Sequence, residues 1–439
     1  MSINKKTKVG IYTLGCKVNQ YESQAIAEEL ERNGIEIASP SSICDGYIIN
    51  TCTVTAESDR KARQFIRRAI SKNSSAYIVV TGCLAQTSAE DVAKIEGVDC
   101  IVGNSDKISA AQKLIALLEA NQKNKSAEIC VSEIENAPFE SMNITKFDRT
   151  RAYVKIEDGC ENKCTYCIIP SARGKVRSKA PDEVISEVKT LVANGCQEIV
   201  LTGIETASYG KDLGDIDLAD LLCKIDKING ISRVRLGSLD PSLIKPDFAK
   251  KIASLSSLAP HFHLSLQSGS DRTLAAMKRK YNSQMAMRAI NILREYIPDV
   301  NFSTDVIVGF PSESDDDFLA TEKFLDEANF LTVHLFPYSK RKGTEAASMP
   351  NQIPTDIKSA RLHRLELTAK KTKASILNYA VSTGGVRKVL FETFDGEFAY
   401  GHTDNFLEVA VKSSHSLRSE FHDVILNSTD GNICFGVLI

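Results

Sequence analysis

The chain has 439 residues, of which 43% are hydrophobic and 25% charged, with a net charge of −2. That describes a folded chain of about three domains, and no apolar run approaches the roughly 18 residues needed to cross a bilayer, so no membrane role is expected. The near-neutral balance excludes a protein that is basic as a whole, so any affinity for nucleic acid must come from local patches.

The N-terminus, MSINKKTKVGIYTLGC, places lysines before a strand-like stretch without a long apolar region or a small-residue cleavage site. No secretion signal is expected. Twelve cysteines are too sparse for a disulfide scaffold, which points to a cytoplasmic protein with reduced thiols. Residues 1–120 alternate strand-like runs (KVGIYTL, DGYIIN, AYIVVT, DCIVG) with helical stretches such as YESQAIAEELERNG and SDRKARQFIRRAI. This rhythm predicts a parallel sheet with helices on both faces. Three of the strands end in a cysteine, Cys16, Cys52 and Cys83, beside Gly15, Thr51 and Gly82. Parallel strands bring their carboxyl ends to one edge, so the three thiols converge and can hold an iron–sulfur cluster. The alternative is three buried structural thiols. Cys44, Cys100, Cys130, Cys196, Cys223 and Cys434 lack such a pattern and read as core or incidental residues.

Residues 121–148 carry few periodic apolar positions and read as a linker. From 149 to 378 the alternation resumes, with six strand-like runs: AYVKIED, EIVLTG, RVRLGS, HFHLSLQ, NFSTDVIVGF and TVHLFPY. Inside it, Cys160, Cys164 and Cys167 stand as C-x3-C-x2-C on one short loop. Three thiolates can hold three corners of an iron–sulfur cube, leaving the fourth iron open to a small molecule. Structural zinc takes four ligands, and no Cys or His follows within 28 residues, which disfavours zinc. Basic residues follow the loop (Arg173, Lys175, Arg177, Lys179), recur at Lys340, Arg341 and Lys342, and line a helix through Lys358, Arg361, Arg364, Lys370, Lys371 and Lys373. Arg173, Arg177, Lys340, Arg341 and Lys342 are the RNA-contact candidates, against plain solvated faces. Residues 379–439 turn to short strands with Gly and Asp turns, as in a small β-barrel. From residue 381 it holds four Lys or Arg against eight Asp or Glu, so stacking by Phe406 or Phe398 is the more natural means of contacting RNA.

The cysteine loop, with Tyr166 before its last cysteine, resembles the radical S-adenosylmethionine superfamily. TLGCKVNQYES, NTCTVT, TGCLAQ, LSLQSGSD, TDVIVGFPSES, FPYSKRKGT and GHTDNFLEV extend the resemblance over nearly the whole chain to the methylthiotransferases. The resemblance implies an N-terminal methylthiotransferase domain, a partial (β/α)6 barrel and a C-terminal TRAM-type β-barrel. It also implies two 4Fe–4S clusters and S-adenosylmethionine. The cluster on Cys160, Cys164 and Cys167 would generate a 5′-deoxyadenosyl radical, and the one on Cys16, Cys52 and Cys83 would carry a sulfur that becomes methylated and is transferred.

Residues implied to hold S-adenosylmethionine are Gly203 and Glu205, with Ile204 between them, for the methionine amino group. Ser265 and Gln267 are placed at the ribose, and Asp305 and Gly309 beside the adenosine. GCKVNQYES and DGCENKCTYCIIPSARG look most like the branch that modifies N6-threonylcarbamoyladenosine at position 37 of tRNA, with Lys17 and Val18 as the distinguishing pair. The implied partners are the tRNA anticodon stem-loop, an electron donor and a sulfur source. Rival readings are another tRNA adenosine, a ribosomal protein, or a non-catalytic iron–sulfur sensor that binds RNA.

Overall fold

The computed structural model describes residues 7–123, 125–147 and 149–439. The N-terminal residues before Thr7, and Asn124 and Asp148 of the expected linker, lie outside the described residues. Strands β1 (Lys8–Thr13), β2 (Glu36–Ala38), β3 (Gly46–Thr51), β4 (Tyr77–Gly82), β5 (Cys100–Val102) and β6 (Glu128–Cys130) form one parallel sheet in the order β2-β1-β3-β4-β5-β6. Every residue of β3 and β4 is buried, because helices cover both faces, which is why these strands read as continuous apolar runs. β6 corrects the expected boundary, since it pairs with β5 inside the stretch read as linker. The residues that follow are not a loose tether either: Ile134, Met142 and Ile144 are buried, and Glu140 accepts the backbone N–H groups of Lys107 and Ile108.

The core contains β7 (Ala152–Lys155), the short antiparallel pair β8 (Glu157–Asp158) and β9 (Arg177–Ser178), then β10 (Glu198–Thr202), β11 (Arg233–Leu236), β12 (Ser238–Leu239), β13 (His261–Gln267), β14 (Asn301–Val308) and β15 (Thr332–Pro337). Two parallel ladders, β11-β10-β7 and β12-β13-β14-β15, meet at Gly237. Together they curve into the expected open α/β barrel. All six predicted core strands are present, and alternation along β13 buries Phe262, Leu264 and Leu266 against the helices while His263, Ser265 and Gln267 are half-buried on the inner side.

The 29-residue helix Thr355–Thr383 leads to a closed barrel of β16 (Val386–Phe394), β17 (Phe398–His402), β18 (Glu408–Lys412), β19 (Phe421–Thr429) and β20 (Cys434–Leu438). The basic residues of that helix prove to be fasteners. Arg361 pairs with Glu313 and Asp315, Arg364 with Glu322, and Lys371 with Asp326, all on or beside the helix Asp315–Ala328.

The terminal barrel is clamped to the core by buried arginines. Arg233 donates to the carbonyl of Lys388 at 3.0 Å, and Arg235 to those of Thr403 at 2.7 Å and Asp404 at 2.8 Å. Arg151, Arg233 and Arg235 all pair with Glu198. Phe406 is sandwiched between His261 and His402 with both ring centroids at 4.5 Å. That corrects its assignment to RNA stacking: its faces are already used. Phe398 is half-buried beside Tyr400 and Phe435 on the barrel.

Burial by itself would raise the Glu198 carboxyl, but the three arginines hold it at about 2. A carboxyl depressed in the folded state adds stability that is complete above its unfolded value, about 4.3, and is lost as pH falls toward 2. On the order of 3 kcal/mol of the folding stability of this network, whose arginines also hold the barrel carbonyls, is therefore acid-labile. Hydrogen exchange is expected to show the barrel strands losing protection across that window. Protection that stays level there, after correction for intrinsic exchange, would count against the clamp.

Candidate cluster and cofactor sites

The loop carrying Cys160, Cys164 and Cys167 is pinned from several sides. Gly159 has φ +91° and lies so near Lys175 that a Cβ would sit 1.9 Å from its carbonyl oxygen, a position closed to any other residue. Cys160 N–H donates to Gly174 O at 3.0 Å, Thr165 N–H to Met277 O at 3.2 Å, and Ala346 N–H to Thr165 O at 2.8 Å. Arg279 donates to Cys164 Sγ at 3.3 Å while pairing with Asp240 at 2.9 Å. Burial pushes the Cys160 thiol up to about 12 and Cys167 up to about 11. Such thiols become ligands only when a metal's charge draws off their protons.

Cys16, Cys52 and Cys83 do meet at one edge of the N-terminal sheet. β1, β3 and β4 are neighbours, and the chain leaves β1 for β2 on one side and reaches β3 on the other. That reversal is where open α/β sheets form a ligand crevice, and Cys16 and Cys52 follow the two strands that flank it. Two glycines make the approach possible. At Gly15 (φ +94°) a Cβ would fall 2.8 Å from Cys52 Sγ, and at Gly82 (φ +101°) 2.3 Å from Thr51 O. Cys16 is exposed while Cys52 and Cys83 are buried, and burial lifts Cys52 to about 11. Each trio offers thiol sulfurs alone, the donor set that iron–sulfur clusters take. That donor chemistry fits such a cluster at each trio.

The structure overturns the RNA assignment of Arg173. Its side chain is fully buried, and from the helix that follows the cysteine loop of the barrel it reaches Cys83 of the N-terminal set rather than facing solvent. It donates to Cys83 Sγ at 3.4 Å, Asn19 at 2.6 Å, Glu22 at 2.6 Å and Asp158 at 3.1 Å. Lys107 and Lys155 reach Glu22 at 3.0 and 2.9 Å, and Arg177, also buried, lies 3.5 Å from Asp158. Four cations thus surround two carboxylates. Burial would raise Glu22, but Arg173, Lys107 and Lys155 hold it well below the usual carboxylate range. Arg173 is the cation of this network that reaches a thiol, which suits a site that carries thiolate charge.

Arg341 is likewise buried, paired with Asp59 and Thr53, and leaves the RNA list with Arg173 and Arg177. Lys340 and Lys342 remain exposed. A sequence cannot tell a solvated arginine from a buried one when the carboxylate partner is 151 positions away, as Glu22 is from Arg173.

Of the residues expected at S-adenosylmethionine, Gly203 and Glu205 border the cluster loop. Glu205 accepts from Asn162 at 3.0 Å and opens on a cleft of about 510 Å3 that Asp240, Lys211 and Lys280 also line. Burial, with Asp240 adding to it, pushes the Glu205 carboxyl up to about 7. Glu157, which sequence reasoning missed, lies beneath Gly203, where a Cβ would be 2.5 Å from Glu157 Oε2. Its other oxygen, Oε1, is buried without a hydrogen-bond partner among the described residues. An ammonium group would satisfy both carboxylates, so the site fits the cofactor's amino end.

Gln267 adopts φ +70° at a bulge in β13, a strain typical of aimed side chains. The carbonyl of Ser265 receives Arg279 and Tyr281. Gly309 does not offer its backbone to a ligand: its N–H donates to Glu313 at 2.7 Å, and a Cβ would strike the Lys358 stem at 2.3 Å. Asp305 is held in mid-strand by His263 Nε2 at 3.2 Å rather than standing free at a strand end.

A model of the radical SAM superfamily matches residues 154–325, and one described as uncharacterized protein family UPF0004 matches 8–103. The chain is 39% identical to threonylcarbamoyladenosine tRNA methylthiotransferase MtaB of Bacillus subtilis over 93% of its length and 91% of the relative's. The Thermotoga maritima protein of the same name is 38% identical over 93% and 94%. A tRNA-2-methylthio-N(6)-dimethylallyladenosine synthase from Dictyoglomus thermophilum is 37% identical over 83% of each chain. Among solved structures, the radical S-adenosylmethionine methyltransferase TsrM of Kitasatospora setae aligns with a TM-score of 0.56 at 16% identity, covering 78% of this chain and 77% of that one, a likeness of fold.

Proposed function

The chain belongs to the radical S-adenosylmethionine methylthiotransferases, enzymes that use that cofactor and a 4Fe–4S cluster, and from this we propose that it converts N6-threonylcarbamoyladenosine at position 37 of tRNA to its 2-methylthio derivative. The observation that supports the reading best is a single buried arginine, placed just after the cysteine loop of the barrel, that bonds to Cys83 at the switch-point edge of the N-terminal sheet and to Asp158 just before that loop.

In this reading Cys160, Cys164 and Cys167 hold the radical-generating cluster and Cys16, Cys52 and Cys83 the auxiliary one. When bound, the first supplies an electron for cleavage of S-adenosylmethionine, and the second holds the sulfur to be transferred. Glu157 and Glu205 orient the cofactor's amino group beside the open corner. Gln267 and Ser265 line the inner barrel wall next to it. Arg279 and Arg173 each give one N–H to a ligand sulfur, a second layer of hydrogen bonds that sets how strongly each cluster binds its electron. Lys340 and Lys342 are the remaining basic candidates for the tRNA backbone, and Phe398 with Tyr400 and Phe435 offers a stacking strip on the TRAM-type barrel. This reading puts the reaction in the cytoplasm, where the tRNA substrate is. Among the described residues no helix is long and apolar enough to cross a membrane.

The test is anaerobic reconstitution with S-adenosylmethionine, a reductant and tRNA bearing threonylcarbamoyladenosine, followed by mass spectrometry of the digested nucleosides. A 2-methylthio product establishes reaction and substrate together. Conversion of a dimethylallyl nucleoside instead would move the enzyme to the other branch. Glu205→Gln is expected to weaken cofactor binding by about 10- to 100-fold, the worth of a charge-assisted hydrogen bond, while iron content holds. Unchanged cofactor affinity in a titration would remove Glu205 from that role.

A further inference from the structure

The inner wall of the open barrel carries a polar group that the chemistry above does not use. His263 Nε2 lies 3.2 Å from Asp305 Oδ2, and His263 Nδ1 lies 3.0 Å from Ser303 Oγ. The His334 ring is 5.8 Å from that of His263, with Phe336, 45% exposed, farther along β15. One ligand atom each from His263, Asp305 and His334 falls within 4.8 Å of the others. Three adjacent strands supply them, and the register that pairs Asp305 with His334 puts them on one face.

Arg341, just beyond β15, pairs with Asp59 of the N-terminal domain, and Lys17 of that domain comes within electrostatic range of this wall. It is the first residue of the helix Lys17–Arg32 and directly follows Cys16. Its ammonium is close enough to act electrostatically on Asp305, His334 and His261, and Arg151 and Arg235 act on it in turn. Those two arginines are committed to Glu198, Glu392 and the barrel carbonyls. Lys17 is exposed and makes no hydrogen bond or ion pair to any described residue. A divalent cation on the two histidines and Asp305 would face this uncompensated ammonium. The cleft instead matches a ligand with an anionic end and several hydrogen-bonding groups.

An N6-threonylcarbamoyl group has that character: two ureido N–H donors, a carbonyl, a hydroxyl and a carboxylate. We propose that Lys17 binds the threonyl carboxylate, while Asp305 and His334 take the ureido and hydroxyl groups, making this cleft the determinant of substrate choice. The inference rests on the substrate reading above. An apolar N6 substituent would leave Lys17 desolvated and unmet, and sites that lose polar partners in this way reject analogues strongly. Placing the recognising lysine next to Cys16 also couples recognition to the sulfur site, since one helix start carries both.

The experiment measures binding of holoprotein, with anaerobic handling, to three anticodon stem-loops: one bearing threonylcarbamoyladenosine, one bearing its threonyl methyl ester, and one unmodified. Wild type is expected to prefer the acid over the ester by about 10- to 100-fold. Lys17→Met should bring that ratio near one and Lys17→Arg should keep most of it, with iron content unchanged in both. Equal binding of acid and ester by wild type, or a full preference retained by Lys17→Met, would overturn the proposal, as would a loss that follows iron rather than the carboxylate. If wild type methylthiolates the threonylcarbamoyl stem-loop and its ester equally well, the proposal alone fails. If it modifies only a dimethylallyl stem-loop, the substrate reading fails with it.

Discussion

Cys16→Ala is expected to abolish the methylthio product while S-adenosylmethionine is still cleaved to 5′-deoxyadenosine, whereas Cys164→Ala should abolish both. The split follows from geometry. Cys16 starts a helix at the crevice of the N-terminal sheet, and Cys164 sits on a loop held by Met277, Ala346 and Arg279 of the barrel. In the proposed arrangement each cube would have three protein ligands, so removing one would leave two, and the vacated sulfur would not be replaced by a neighbour: among the described residues Cys44, Cys100, Cys196 and Cys434 are buried in their own surroundings. Loss of product should exceed about 10³-fold, or roughly 4 kcal/mol in barrier, with roughly half the iron gone in either variant. Nucleoside mass spectrometry and iron analysis on the same samples check it. Full product from Cys16→Ala would eliminate the second cluster from the mechanism.

Arg173→Met should be nearly as damaging without touching a ligand. The substitution strips an N–H from Cys83 and leaves Glu22 and Asp158 with fewer cations in a site where all three side chains are buried. Removing one member of a buried ion network costs about 3 to 5 kcal/mol, because the remaining charges stay desolvated. The loss is expected to fall on the auxiliary cluster first, since Asn19, which Arg173 also holds, fixes the turns after both β1 and β3 through the carbonyls of Leu14 and Thr51. Roughly half the iron should dissociate, while the absorption of the barrel cluster and its response to S-adenosylmethionine persist. Retention of both clusters by Arg173→Met would show that the network serves folding only. A surface role in RNA binding predicts the opposite: full iron and a salt-dependent fall in tRNA affinity.

The element order, the parallel sheet, the open barrel and the terminal β-barrel were all legible in the chain, because strand and helix periods are local properties. Cys160, Cys164 and Cys167 were legible for the same reason, being on one loop. Even the distant trio could be read, since the carboxyl ends of parallel strands share an edge whatever the length of chain between them. The linker was misjudged because β6 is three residues long, too short to show a period, and it exists only because β5 offers an edge.

What tertiary structure alone decided is the fate of the polar side chains. Arg173, Arg177, Arg341 and Phe406 have the composition of a nucleic-acid surface, yet each is enclosed by partners from another part of the chain. Lys17 took the opposite course: it is exposed and within electrostatic range of a wall formed by three strands that begin between 244 and 315 residues later in sequence. Pattern reveals which faces are apolar, because burial of such faces repeats along an element. It does not reveal which charge meets which, because an ion pair or a recognition cleft is a single long-range contact with no period, and packing of the domains selects it.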